Sequence, residues 1–479
     1  MMGIYGALEI ARKSLFANQL AIQVTSHNIA NVNTPGYSRQ RVRMQETRPM
    51  DFSPGQIGTG VEAARIQRSV DRLIESQVVA EQGLYSTLDY AATAVGQVEQ
   101  LFNEGNGGML GARIDEFFNA WEDLSVNPRG TAERQSLVSS ARLLASAFRS
   151  VDGQLRSFRE SADRDVAGLA AEATAIARQI ADLNAKIKSA VLGGQEPNDL
   201  LDRRALLLQD LSARINVTTF PDVAGQINVQ VANGRMLVSG EIAGSLEVLP
   251  MTDPVSGETW NHVLIRLPNQ SSPAAEDITG TITSGTLYSA LRFRDVFVPG
   301  EQAKLDSLAY DMASRVNAQH AAGFGLDGST GTDFFLPLSL SGAASNLQVN
   351  PAVEADRNRV AAASSDPTAP GGGGPGDNGN ALLLAELREQ RSAGLGGGTF
   401  TEFLAGIVGA IGAEARGVNQ DLAHQRSIVD FVTAQRESVS GVSLDEEMTN
   451  LIKYQRAFEA ATKLVAVTDD LLKQIVDLR

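Results

Sequence analysis

The stretch SHNIANVNTPGYSRQRV, residues 26–42, is where the first predicted element ends and the chain changes direction. Proline restricts the residue before it to extended backbone, and glycine permits a sharp turn, so a helix cannot continue through this stretch. The residues that follow, RQRVRM (39–44), are basic and extended in pattern. An active-site loop, a nucleic-acid arm and a structural corner would all fit such a stretch. The corner motif consists of Ala30, Asn31, Asn33, Thr34, Pro35, Gly36 and Tyr37.

Apolar residues recur every seven positions at both ends of the chain. This spacing keeps one apolar row facing a partner helix, as in coiled coils. Neither row can be buried alone, so we expect the two helices to pack on each other or on neighbouring copies, although the core helices of an ordinary bundle would show the same pattern. The predicted packing residues are Leu8, Leu15, Ile22, Ile29, Leu444, Met448, Leu451, Phe458, Val465 and Leu472, with Ala11, Asn18 and Thr25 at companion positions.

Two later helices have a recognisable start. Ser443 with Glu446, and Thr399 with Glu402, have the spacing of a capping box, in which each side chain bonds the other residue's backbone N–H. Both are predicted to begin helices that run toward the end of the chain.

Between the ends, helical periodicity gives way to alternating apolar and polar residues and then returns. The predicted fold is mainly α with an inserted β part (α+β): a long helical bundle or coiled coil built from both termini and a helical middle, carrying a small antiparallel β domain. The predicted domains are a terminal coiled coil (1–70 with 436–479), a helical rod (71–215 with 285–325 and 395–435), a β insert (216–284) and an irregular region with short strands and a Gly/Pro-rich loop (326–394).

Composition narrows the classes of function. The chain has 479 residues, a formal net charge of −15 and no cysteine. An acidic chain does not suit general nucleic-acid binding, and without cysteine there are no disulfides or thiolate metal sites. No run approaches the length of a membrane span, and the first residues lack the pattern of a cleaved signal peptide. The basic start of the chain is either an anion-binding arm or a solvated face.

A search for catalytic or ligand-binding patterns gives no candidate. None of the four histidines has a partner at metal-site spacing, and no P-loop or nucleophile elbow is present. Asp327 and Asp333 could hold calcium, but their spacing does not match an EF-hand, so a turn is the better interpretation. We therefore predict no catalytic residue, no cofactor and no metal.

The motif ANVNTPGY, residues 30–37, resembles the signature shared by bacterial flagellar rod, hook and hook-associated proteins, and the segment from residue 440 onward is similar to their terminal helix. The middle of the chain, including FFNAWEDLSVNPRGTAERQSLV and the segment 285–335, resembles the hook-associated protein 1 family, the junction proteins of hook and filament. Rod and hook proteins share the terminal motifs but lack this middle block. The resemblance covers most of the chain and is weakest over 337–400.

The resemblance implies an assembly role. Members of this family form a ring of subunits between hook and filament, with the terminal helices making an inner tube. The implied partners are further copies of the chain, the hook protein, a junction protein of the hook-associated protein 3 type, a cytosolic export chaperone on the C-terminal region and the flagellar type III export apparatus. The implied location is the extracellular hook–filament junction, reached without a cleaved signal peptide. The first alternative is another flagellar axial protein of hook or rod type. The others are a non-flagellar coiled-coil scaffold and, third, an enzyme.

Overall fold

A computed structural model describes residues 2–52, 55–103, 106–252, 254, 257–268 and 275–477. The chain is mainly helical with small antiparallel sheets, which confirms the predicted fold class. The described residues form the α-helices α1 (Met2–Ala30), α2 (Arg72–Asn103), α3 (Asn106–Val126), α4 (Thr131–Leu192), α5 (Asn198–Arg214), α6 (Thr286–Arg292), α7 (Val298–Ala322), α8 (Ala343–Asn346), α9 (Pro351–Ala355), α10 (Gly379–Glu386), α11 (Phe400–Ser440) and α12 (Leu444–Asp477). A π-helix, Phe293–Phe297, joins α6 to α7.

The strands pair antiparallel in four small sheets. They are β1 (Gln40–Glu46), β2 (Met50–Phe52), β3 (Gly55–Ile57), β4 (Val61–Arg68), β5 (Val217–Pro221), β6 (Ile227–Val231), β7 (Arg235–Ser239), β8 (Ile242–Ala243), β9 (Ser245–Thr252), β10 (Thr259–Arg266) and β11 (Glu276–Asp277). The sheet orders are β1-β4, β2-β3, β5-β6-β7-β8 and β11-β10-β9. Gly234, in the left-handed region at φ +83°, lies in the turn between β6 and β7, where Asn233-Gly234 indicates a hairpin.

The chain divides into two compact units. Unit 1 comprises 1–87, 169–286 and 424–479, and unit 2 comprises 88–168 and 287–423. These units group the residues differently from the four predicted domains, whose boundaries stay a prediction.

Unit 1 contains the terminal helices and the sheets. Helix α1 packs along α12, and strands β1 and β4 lie against α1. A second packing site joins Ile74 and Val78 of α2 to Val432 of α11. The buried guanidinium of Arg204 on α5 donates to Asn184 Oδ1 and to the Gly225 carbonyl, both at 2.8 Å. Burial lowers the pKa of Arg204 to about 10.

Unit 2 is built on an aromatic core. Trp121, Phe117 and Phe118 are fully buried, as their helical spacing predicts, and they meet Phe334 and Phe335. Phe117 lies 5.8 Å from Phe334 and 5.7 Å from Phe335 between ring centroids, in the tilted arrangements that aromatic rings prefer.

The structure differs from the sequence prediction in the region 326–394. Pairing in this region is limited to three isolated bridges, Phe335 to Val349, Phe324 to Ala363 and Ser392 to Gly398, and the helices α8, α9 and α10 lie in the same region. At Phe335 both backbone groups bond to the side chain of Asn317, which accepts from the Phe335 N–H (2.8 Å) and donates to the Phe335 carbonyl (3.0 Å). A side chain thus takes the hydrogen bonds that a neighbouring strand would make.

Candidate assembly site: the corner and the terminal helices

Helices α1 and α12 meet through small and polar side chains. On α1 the buried positions include Ala11, Asn18 and Thr25, which the sequence places beside the apolar row. On α12 the buried positions are Glu447, Ala461 and Thr468, again in multiples of seven. Small side chains allow two helix backbones to approach closely. The buried residues Ala11, Asn18 and Thr25 are the predicted companion positions, and they lie beside the predicted row of larger apolar residues.

The predicted packing residues flank this contact. Leu8, Leu15, Ile22, Ile29, Leu451, Phe458, Val465 and Leu472 are half-buried, whereas Leu444 and Met448 are each 48% exposed. Their role between subunits stays a prediction.

Helix α12 also carries two exposed apolar rows, which we call the first row (Leu444, Met448, Ile452) and the second row (Leu464, Val467, Leu471). At 3.6 residues per turn, the first row lies on one side of the buried row Glu447, Ala461, Thr468, and the second row lies on the other. Exposed apolar surface of this kind marks an interaction site on a soluble protein. Helix α12 thus presents apolar side chains on both flanks of its contact with α1.

The corner motif closes the end of α1 with its own side chains. Asn31 Nδ2 donates to the His27 carbonyl at 3.0 Å, and Thr34 Oγ1 donates to Asn31 Oδ1 at 3.1 Å. Ala30 is the last residue of α1, and the exposed Asn33 and Pro35 form the outside of the turn. The first bond adds a side-chain donor to a carbonyl in the last turn of α1, and the second bond holds the Asn31 side chain in that position.

Gly36 occupies a position that only glycine suits. Its φ is +75°, in the left-handed region, and a Cβ added there would lie 2.5 Å from Leu206 Cγ. Its carbonyl accepts from Arg436 Nη2 at 3.2 Å. The backbone thus passes directly over α5, which fixes the corner against that helix.

Tyr37 anchors the corner with its hydroxyl rather than by packing alone. Its Oη donates to Asn28 Oδ1 (2.8 Å) and lies 3.0 Å from His27 Nδ1. Burial raises the pKa of Tyr37, and the nearby carboxylates Asp199, Asp202 and Glu447 raise it further. The phenol therefore keeps its proton and remains a donor.

The side chain of Asn28 joins three elements. Its Nδ2 donates to the Gln40 carbonyl of β1 and to Glu447 Oε2 of α12, both at 2.9 Å, and its Oδ1 accepts from the Gln40 N–H at 3.0 Å. Every polar atom of the buried amide is thereby used.

Arg39 links the corner to the start of α12 by charge. Its Nε donates to Glu447 Oε1 at 2.7 Å, and its Nη1 donates to Glu446 Oε2 at 2.6 Å. Burial works against the positive charge, but the hydrogen bonds that Arg39 donates to the two carboxylates outweigh it and raise the pKa of Arg39. Its backbone N–H donates to the Ser440 carbonyl at 2.8 Å, so the turn between α11 and α12 is held as well.

Helix α5 holds the corner from the other side. Asp202 accepts from the Ser38 N–H at 2.9 Å and from Arg68 Nη1 at 2.5 Å. Asp199 accepts from Gln40 Nε2 at 2.8 Å. The corner is therefore a joint of α1, β1, α5 and α12, and its polar groups are engaged in holding those elements together.

The sequence prediction found the corner but missed most of the residues that hold it. Arg39, Asp202 and Glu447 belong to no recognisable sequence motif. The one local pattern that could have pointed to them is the group of three acidic residues in the first turn of α12. The basic segment after the corner is extended, as its pattern predicts, and it forms β1, which pairs with β4 of the same chain.

Two further properties bear on function. Within the described residues, no helix combines the length and the apolar character needed to cross a membrane. In the same part of the chain, no three side chains of metal-ligating type come together.

Three segments of the chain match families of flagellar proteins. Residues 95–335 match the family described as the flagellar hook-associated protein FlgK helical domain. Residues 8–37 match the flagella basal body rod protein family, and residues 433–478 match the C-terminal family of the basal body rod proteins FlgEFG.

Full-length relatives are similar over nearly the whole chain, and one solved structure is similar over about three quarters of it. Flagellar hook-associated protein 1 of Bacillus subtilis is 26% identical, with 100% of this chain and 99% of the relative covered. The protein of the same name from Salmonella typhimurium is 25% identical over 98% of this chain and 99% of its own length. The flagellar hook junction protein FlgK from Burkholderia pseudomallei shares the fold, with a TM-score of 0.67 at 19% identity over 76% of this chain and 100% of that one.

Proposed function

Because this chain belongs to the flagellar hook-associated protein FlgK family and is a structural component of the flagellum at the junction of hook and filament, we propose that it forms a ring of subunits by packing through its terminal helices.

The observation that carries this proposal is the pair of exposed apolar rows on α12. They lie on opposite flanks of the contact with α1, so one copy can meet a neighbour on either side. A ring requires two different contacts of this kind per subunit, because a head-to-tail arrangement closes only if each copy has a neighbour before and after it. The half-buried residues from Leu8 to Ile29 and from Leu451 to Leu472 border these rows and become fully buried in the ring.

The proposed organisation assigns a place to each predicted domain. Residues 1–70 with 436–479 line the inner tube, and the helical rod, the β insert 216–284 and the irregular region 326–394 lie outside it. The hook protein adjoins the ring on one side and a junction protein of the hook-associated protein 3 type adjoins it on the other. The chain acts through these contacts and not through catalysis.

The route to this location is also part of the proposal. The chain is exported by the flagellar type III apparatus without a cleaved signal peptide, and a cytosolic chaperone holds its C-terminal region until export. The exposed rows on α12 support this, because apolar surface that is unpartnered before assembly needs cover in the cytosol.

The test replaces apolar residues of α12 by aspartate and measures incorporation. Met448→Asp acts on an exposed residue and Leu451→Asp on a half-buried one. Both variants should fold in the middle of the chain, give normal far-UV circular dichroism and fail to appear in purified hook–basal bodies. Thr449→Asp, at an exposed position outside both rows, is the matched control and should be incorporated. Normal motility with Met448→Asp and Leu451→Asp would rule out the proposed contact.

A further inference from the structure

Strands β1 to β4 form a two-stranded ribbon with an unusual outer face. The inner face, which includes the half-buried Val42 and Ile66, lies against α1. The outer face carries the exposed side chains of Arg41 and Arg43 on β1, and of Arg65 and Gln67 on β4.

The register places two of these cations directly opposite each other. Arg43 pairs with Arg65 across the strands, and Arg41, opposite Gln67, lies next on the same face. Like charges in directly opposed positions destabilise a β-ribbon. Glu196 approaches Arg65 to 3.8 Å and offsets part of this repulsion, whereas Arg41 and Arg43 make no ion pair with any described residue.

The far end of the ribbon is apolar and open. Met50 and Ile57 are opposite each other in the β2–β3 pairing, and they are 55% and 54% exposed. An isolated two-stranded ribbon is marginally stable in water, so a ribbon that exposes both a repulsive basic face and an apolar pair is suited to being covered.

We propose that the outer face of this ribbon, with Arg41, Arg43 and Arg65, docks on a carboxylate-bearing surface of a second copy of this chain; the inference rests on the ring proposed above. Charge complementarity identifies the occupant. The whole chain has a net charge of −15, so the residues other than these three arginines carry a net charge of −18 between them. An acidic surface attracts the ribbon and steers its approach.

The same charges set the symmetry of the contact. Two ribbons facing each other would bring their arginines together and repel, which disfavours a two-fold contact through this face. A basic ribbon on one copy and an acidic surface on the next make a heterologous contact, the type that forms a ring when the rotation between copies closes.

The test reverses charge where the fold does not depend on it. The double variant Arg41→Glu with Arg43→Glu breaks no ion pair, and the glutamate at 43 faces Arg65, so the ribbon itself becomes more stable. The control, Arg164→Glu with Arg178→Glu, makes the same change of charge at exposed positions on α4. The number of copies per hook in purified flagella should fall about fivefold or more for the ribbon variant and stay at the level of the original chain for the control.

The outcomes separate this inference from the proposed function. If the ribbon variant is incorporated as well as the control while Met448→Asp is excluded, the ring stands and the ribbon contact is refuted. If the original chain is absent from the purified flagella, both are refuted.

A second measurement identifies the occupant. Because the chain has no cysteine, Gln67→Cys provides a single attachment site on the outer face for a photo-crosslinking reagent. Irradiated flagella should yield a product of two copies of this chain. A product that contains a different flagellar protein, or none at all, would overturn the assignment to a second copy.

Discussion

Replacing Gly36 by alanine tests whether the corner is fixed by close contact with α5. The change has two separate costs. The left-handed backbone at φ +75° costs an alanine about 1 kcal/mol. The new Cβ would also lie 2.5 Å from Leu206 Cγ and 2.6 Å from both Cδ atoms, and relieving an overlap of this kind costs about 2 kcal/mol more. Unit 1 should therefore lose about 3 kcal/mol of unfolding free energy.

Gly194 supplies a matched control. Its φ is +73°, but a Cβ at this position meets no atom within 4 Å. Gly194→Ala should therefore lower the unfolding free energy only by the cost of the left-handed backbone, about 1 kcal/mol. In a Leu206→Ala background, Gly36→Ala should fall to the same value, because the overlapping atoms are gone.

The assay uses the two tryptophans, one of which lies in each unit. In a Trp121→Phe background, the fluorescence of Trp260 follows unit 1 during urea unfolding. Equal losses for Gly36→Ala and Gly194→Ala, or no relief from Leu206→Ala, would show that the contact with α5 does not restrain the corner.

Three further predictions concern other parts of the chain. His320 is fully buried, its Nε2 accepts from the Ala361 N–H (3.0 Å), and burial lowers its pKa to about 4, so protonation is opposed in the folded state. Unit 2 should thus be most stable above the ordinary pKa of 6.5 and lose about 3 kcal/mol as the pH falls toward 4, and urea unfolding should show a flatter profile for His320→Gln. Glu447→Gln removes the charge opposite the buried Arg39 and should lower the unfolding free energy of unit 1 by about 3 kcal/mol. Glu459→Gln, in an exposed pair, should lower it by under about 0.5 kcal/mol, and equal losses for the two variants would contradict the role of the Arg39–Glu447 pair. Amide hydrogens of α1 and α12 should exchange faster in the monomer than in flagella, and full protection in the monomer would show that assembly is not needed to order them.

Local signals in the sequence were sufficient for the helices and for the corner. Asn127-Pro128 and Gly193-Gly194 lie in the breaks between α3, α4 and α5, where proline disfavours a helical residue before it and glycine permits the left-handed backbone that ends many helices. The Thr399 capping box also forms: Glu402 Oε2 accepts from the Thr399 N–H at 3.0 Å, and the Glu402 N–H donates to Thr399 Oγ1 at 3.2 Å.

The second capping box shows where such reasoning fails. Glu446, predicted to serve Ser443, instead accepts a hydrogen bond from Arg39, which is 407 residues away in the sequence. Burial is the reason: leaving a nearly buried guanidinium without a carboxylate costs more free energy than leaving an exposed helix end without a cap. No local pattern contains that information.

The terminal helices show a related limit of local patterns. Leu444 was predicted as a packing residue and is 48% exposed in a single copy, whereas Ala11, at a companion position, and Ala461 are buried. Hydrophobicity ranks leucine above alanine, whereas the distance between two helix backbones favours the smaller side chain. The surface against which the larger apolar residues would pack is not present in a single copy of the chain.

The bond between Asn28 and Glu447 has a consequence for the order in which the molecule is made. The two residues are 419 positions apart, and closing a loop of that length costs about 5 kcal/mol of chain entropy. During synthesis from the N-terminus, the corner residues exist for almost the whole time without the carboxylate that completes their network. The corner motif is thus translated early, but its hydrogen-bond network is among the last to form. A chain that stops before α12 lacks Glu447 and cannot complete this network.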